Sequence, residues 1–300
     1  MHNLNSVWRK IFPLLILGTI AYAVSNVLAY IVATHLPVML AILFIQSGFI
    51  PCAIIISILN KDKFDIIPSR SNFVVWVYGI GFAITTVLLF YAYGLHSLAN
   101  VFPFLEGGTI VFLALDLIFH RKRLGIRDVV VLCIGVAVVF LGTYVSGSVG
   151  IRFNMNILPY AVGIILSSGI GYYALANETE SANCGSKNLV FGISSIASAL
   201  FLFVLYKIPV IPISPAIVVT GIAAGAALCI AFNSEILAVY KSQTGDERSD
   251  VIIRNFINNF GELDVIIVLL SSIAIGSYTA NGLLGGGLIL IGVLILGIIR

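Results

Sequence analysis

The segment LCIGVAVVFLG (132–142) has a counterpart in LLGGGLILIG (283–292), and this pairing decides the fold. Gly135 falls on Gly285 and Gly142 on Gly292, both at an offset of 150 residues. The chain repeats itself elsewhere too. AYAVSN (21–26) is echoed by YYALAN (172–177), and YAYGLHS (91–97) by LAVYKSQ (237–243), which sets Ala92 on Ala238. The chain therefore reads as two copies of one unit, residues 1–150 and 151–300.

Composition says what kind of unit it is. Hydrophobic residues make up 60% of the 300, charged residues only 10%, and mean hydropathy is +1.10. That charge content does not cover the surface of a soluble domain, so the chain reads as an all-α integral membrane protein. A hydrocarbon core about 30 Å thick takes roughly 20 apolar residues per helix. Cut on that length, the sequence gives ten spans: 11–33, 37–59, 73–94, 98–119, 128–146, 157–177, 188–206, 214–236, 251–272 and 280–299. The first follows WRK and has no small-residue cleavage site behind it, so it reads as a retained helix. Cys52, Cys133, Cys184 and Cys229 show no paired spacing and read as small core residues.

The basic residues orient the bundle. With the N-terminus inside, 14 of the 16 Lys and Arg face the cytoplasm, and only Arg152 and Lys207 lie outside. The positive-inside rule places both termini in the cytoplasm of a cell-membrane protein. HRKR (120–123) is then a topology anchor and implies no nucleic-acid partner. Five crossings per unit make the second unit start from the opposite side, so the repeat is a 5+5 inverted one. Secondary transporters are built this way, with the solute site near the midplane between the halves.

The order and spacing of three stretches resemble the ten-helix drug/metabolite transporter superfamily, in its EamA-type branch. They are the AYAVSN/YYALAN echo, the block from FYAYGLHS to VVFLG (90–142), and GSYTANGLLGGGLILIGVLILG (276–297). The resemblance implies export of small organic solutes by alternating access. The chain departs from the family where Gly-Glu usually follows helices four and nine, carrying Arg121-Lys122 and Gly276-Ser277 instead. It also carries Glu106-Gly107-Gly108 where the family tends to place a proline.

Polar groups inside the spans single out the candidate site, because a charge at a bilayer centre costs about 2.5–3.5 kcal/mol on insertion scales. Glu106, one turn from Thr109, reads as a proton carrier or counter-charge to a cation, or else as a carboxyl fixing a helix contact. Asn255, Asn258, Asn259 and Glu262 recur at i, i+3, i+4 and i+7, on one helical face that would line a cavity. Glu106 and Glu262 are the proton-coupling candidates. Tyr22 and Asn26, like Tyr173 and Asn177, stand four apart, placing a phenol and an amide on one face. Such pairs suit an organic solute or a helix contact equally well. Tyr78 and Thr85 would extend the wall. Glu235 and Asp116 read as interface anchors. Gly282 and Gly286 read as tight packing in span ten or a homodimer face.

These readings make the chain a secondary transporter of a small-molecule substrate, with proton coupling as one energy source, no cofactor and no metal. The alternatives are an intramembrane lipid-modifying enzyme or a non-transporting membrane protein with the same fold. Histidines at 2, 35, 96 and 120 lie far apart and no D-x-x-D run occurs, which disfavours an enzyme.

Overall fold

A computed structural model of the chain describes residues 4–61, 66–68, 73–120, 125–149, 152–177, 184–205, 212–241 and 263–297. Almost all of them are helical. In chain order the helices are α1 (Leu4–His35), α2 (Val38–Asn60), α3 (Phe73–Leu95), α4 (Leu98–Val101), α5 (Phe104–His120), α6 (Ile126–Ser146), α7 (Leu158–Asn177), α8 (Cys184–Leu205), α9 (Pro215–Lys241), α10 (Leu263–Ala274) and α11 (Ala280–Leu296). A two-residue ladder, Ser148–Val149 against Arg152–Phe153, closes the link between α6 and α7.

Seven described stretches are long and apolar enough to cross a membrane: Val7–His35, Val38–Asn60, Phe73–Leu95, Leu98–Phe119, Ile126–Ser146, Gly185–Leu205 and Pro215–Ala238. Leu158–Ala174, Leu263–Ala274 and Ala280–Leu296 are shorter apolar helices. Ile55, Ile58, Leu59, Phe201 and Val204 stand exposed on the outside. Backbone groups satisfied within helices and apolar side chains turned outward are what a hydrocarbon solvent demands.

Most described helix ends fall within a few residues of the sequence punctuation, but α1 begins at Leu4 and residues 251–262 of the expected ninth span lie outside the described residues. The span expected over 98–119 is broken: α4 ends at Val101 and α5 begins at Phe104. Pro103 has no N–H to offer to the turn before it, which favours a break there, although α1 and α2 run through Pro13 and Pro51. The break puts Glu106 in the first turn of α5, where unpaired backbone N–H groups favour a negative charge. Lys187, expected in a cytoplasmic loop, is instead buried inside α8.

The most extensive pairings are α1 with α9, α6 with α11, α3 with α7 and α8, α2 with α8 and α9, and α5 with α7. Glycines set the closest of them. At the crossing of α6 and α11, a Cβ on Gly135 would meet Leu296 and the Gly292 carbonyl, and one on Gly285 would meet Ser146 and the Gly142 carbonyl. Likewise a Cβ on Gly142 would meet Ile289, and one on Gly292 would meet Val139. Gly282 and Gly286 are covered within the chain, against Asn100 and against Pro103 and Leu269.

A polar knot ties the broken helix down. The Asn100 amide donates to the Ser146 carbonyl, Ser146 Oγ donates back to the Asn100 carbonyl at 2.8 Å, and Thr279 Oγ1 donates to Asn100 Oδ1 at 2.8 Å. The Leu98 N–H donates to Ser277 Oγ at 3.0 Å, just past the turn made by Gly276 at φ 70°. Residues 276 and 277 thus cap α4. An Asn100→Leu variant strands several buried partners, each costing about 1–3 kcal/mol. A fall of roughly 10 °C in the unfolding midpoint of detergent-purified protein is expected, and an unchanged midpoint would remove the knot from the account.

Candidate functional site

Tyr22, Ser25, Asn26 and Ala29 occupy successive turns of α1 and form one wall of an internal cavity of about 40 Å³. Ile45 of α2, Phe82, Thr85, Thr86, Leu89, Phe90 and Tyr93 of α3, Leu105 of α5, and Leu228 and Phe232 of α9 complete it. At about 10–15 Å³ per water, that volume takes about three or four waters. Its walls would have to move apart to admit an organic solute.

The polar groups of the wall are held in fixed positions. Asn26 Nδ2 donates to the Tyr22 carbonyl at 3.0 Å, and Tyr93 Oη reaches Asn26 Oδ1 at 3.4 Å, a long and weak bond. Ser25 Oγ donates to the Ala224 carbonyl at 2.9 Å, binding α1 to α9. Thr85 Oγ1 donates to the Gly81 carbonyl at 2.9 Å and lies 2.7 Å from Ser167 Oγ of α7.

Aromatic rings pack around the cavity in two groups. On one side Phe49, Tyr78, Phe82, Phe191 and Phe232 form a cluster, with Phe232 5.4 Å from Phe191 and 6.0 Å from Phe49 between ring centres. On the other, Tyr93 packs edge-on against Tyr30 at 5.5 Å and against Phe90 at 6.4 Å. Beyond the first layer, α2 and α8 bury the side chains of Gln46 (1% exposed) and Asn188 (0%), whose amides find no hydrogen-bond partner among the described residues.

Three acids on different helices, Glu106 of α5, Glu235 of α9 and Asp264 of α10, act electrostatically on Tyr22 of the cavity wall. Glu106 and Asp264 are buried, and Glu106 and Glu235 act electrostatically on Asp264. Tyr22 lies within the field of all three acids, and Tyr93 within that of Asp264. Asp264 Oδ1 has no hydrogen-bond partner among the described residues. Glu235 is the accessible member of the group. Among the described residues no three His, Cys, Asp or Glu side chains converge closely enough to hold a metal ion.

The expected site residues are distributed as follows. Tyr22 and Asn26 line the cavity, as does Thr85. Tyr78 sits in the aromatic cluster below it. Thr109 is buried in α5 beside the crossing with α7, where Gly108 meets Ser168 and Gly169. Tyr173 packs against Phe112 and Phe119 of α5, at 6.2 and 5.7 Å between ring centres. Its neighbour Tyr172 packs on Phe82 of the cavity wall at 5.3 Å. The side chain of Asn177 lies outside the described residues, as do Asn255, Asn258, Asn259 and Glu262. Tyr93, Tyr172, Glu235 and Asp264 are the members that sequence reasoning did not place here. His96, in the hairpin after α3, is half-buried, and burial pushes its imidazole below the usual range. It is therefore neutral at neutral pH.

No family model matches the chain, and no curated protein matches it. Solved structures do match, 13 chains among them. One, named "Crystal structure of protein", aligns over 96% of this chain and 96% of its own, with a TM-score of 0.61 and 16% sequence identity. At that identity the likeness shows a shared fold and nothing of a shared activity.

Proposed function

We propose that the protein is a secondary transporter that moves a small organic solute across the cell membrane by alternating access. The observation that carries this reading is the small cavity between α1, α3, α5 and α9, walled by aromatic rings and a few fixed polar groups inside a bundle of apolar helices. Such walls suit a solute with an apolar body and polar ends. Ten spans in two inverted halves complete the reading. The crossing of α6 and α11 supports it, because every close contact there maps onto another when residues are exchanged by 150 positions. Gly135–Leu296 becomes Gly285–Ser146, Gly135–Gly292 becomes Gly285–Gly142, and Gly142–Ile289 becomes Gly292–Val139. The major pairings behave alike: α1 with α9 exchanges with α7 with α3, and α2 with α9 with α8 with α3.

Leaving Gln46 and Asn188 buried without partners costs about 1–3 kcal/mol each, and opening the seam of α2 and α8 to water returns that cost. Both termini lie in the cytoplasm in this reading, as the basic residues dictate, and export is the direction proposed. Protonation of Glu106 or Glu262 would favour one state over the other.

Asn26→Leu tests the site, since leucine keeps the volume and removes the amide. Metabolites in the medium of overproducing cells should be enriched at least tenfold in one solute for the wild type and not for the variant. Identical medium profiles for wild type, variant and empty vector would end the transport reading.

A further inference from the structure

Among the described residues, the lining of the cavity holds no Asp, Glu, Lys, Arg or His. The acids that act on Tyr22 are not part of that lining. A charge taken out of water without a partner is very costly, so the lining suits an uncharged group. Three hydroxyl protons of the wall are already committed. Ser25 donates to the Ala224 carbonyl, Thr85 to the Gly81 carbonyl, and Thr86 Oγ1 to the Phe82 carbonyl at 2.8 Å. A hydroxyl has one proton, so none of the three has a donor left for a solute.

Asn26 and Tyr93 are the exception. Their contact of 3.4 Å lies beyond the ordinary hydrogen-bond range, so little is lost when it breaks. Asn26 Nδ2 is turned back to the Tyr22 carbonyl of its own helix, which leaves Oδ1, an acceptor, toward Tyr93. That internal bond stays with α1 when the walls part. The Tyr93 contact joins α1 to α3 and does not. Separated, the pair offers an amide oxygen that accepts and a phenol that donates.

We propose that the solute is uncharged and carries a hydroxyl group on an apolar body, and that this hydroxyl inserts between Asn26 and Tyr93. It donates to Asn26 Oδ1 and accepts from Tyr93 Oη, replacing one long bond with two. This rests on the transport reading and names its substrate class. Bonds of about 2.7 Å each set the two side-chain oxygens roughly 5 Å apart, which needs only a small separation of α1 from α3. The rings of Tyr22, Phe82, Phe90 and Phe232, all in the lining, surround the apolar body. An ether or alkane of similar shape leaves Asn26 Oδ1 without a donor, the loss by which polar sites reject analogues.

The test uses the full chain purified in detergent and three probes of similar shape: p-cresol, 4-methylanisole and p-xylene. Isothermal titration should show p-cresol binding about tenfold more tightly than either of the others. Asn26→Leu and Tyr93→Phe should each bring that preference below about threefold, with p-xylene binding unchanged. Partition into detergent is the same for wild type and variants, so it cancels. Tyr93→Phe removes one oxygen held by one weak bond, and keeps the test valid if Asn26→Leu fails to fold. Equal affinity for p-cresol and p-xylene, 4-methylanisole binding as tightly as p-cresol, no binding of p-cresol, or a preference that survives Tyr93→Phe would overturn the inference. The medium of overproducing cells separates this failure from the larger one. Enrichment of a charged solute, or of one without a hydroxyl, rejects the hydroxyl site and leaves the transporter standing. A medium identical to that of the empty vector removes both.

Discussion

Gly225→Ala and Gly48→Ala should each leave little or no folded protein after detergent extraction. Both glycines lie where α2 crosses α9. A Cβ on Gly225 would run into the Ile45 carbonyl oxygen and come within 2.7 Å of the Phe49 nitrogen. A Cβ on Gly48 would run into the Ile222 carbonyl oxygen and come within 2.9 Å of its Cα. These are backbone atoms, which cannot rotate away as a side chain can. The helices must separate, and in lipid no hydrophobic force holds them together against the loss of packing. Every neighbour at the crossing loses dispersion contacts with them, among them Phe49 and Cys229 of the aromatic cluster. Overpacking costs about 1–3 kcal/mol in ordinary cores and more where backbone blocks relief. Size-exclusion recovery and an unfolding midpoint read the result. A midpoint within about 2 °C of the wild type would show that the crossing is looser than described.

Gly142→Val and Gly292→Val should destabilise the protein strongly and by the same amount. The first Cβ would lie 2.7 Å from the Ile289 nitrogen, the second 2.9 Å from the Val139 nitrogen. If the halves are one unit used twice, these are the same substitution made from opposite sides of the membrane. A loss of about 3 kcal/mol for each, equal within error, is expected. Gly287→Ala is the internal control. Nothing lies within 4 Å of its Cβ, so it should stabilise α11 by a few tenths of a kcal/mol up to about 1 from helix propensity alone. Unequal losses at 142 and 292 would count against the repeat.

The helices were legible because their lengths follow from bilayer thickness and their ends from Pro, Gly and charge. Tyr22 and Asn26 were legible for a related reason: two polar groups four apart in an apolar helix share a face that lipid cannot cover. The break at Phe102–Pro103 was not visible, since the apolar run passes straight through it. Neither was the choice between Tyr172 and Tyr173. Adjacent helical residues point about 100° apart, and an echo of low identity does not fix that phase. Glu235 looked like an interface anchor because it stands near a helix end. Its relation to Glu106 and Asp264 arises only from how α5, α9 and α10 are placed around α1. The aromatic cluster is likewise a product of four helices and has no signature in any one of them.

Alternating access at this cavity can be tested without knowing the solute. Cys52, Cys133, Cys184 and Cys229 are replaced, Asn26→Cys is introduced, and the protein is reconstituted in proteoliposomes. A membrane-impermeant thiol reagent is then supplied to one side at a time. Labelling of position 26 from either side, in vesicles that hold an ion gradient, is the predicted result. Labelling from one side only, or from neither, would contradict it.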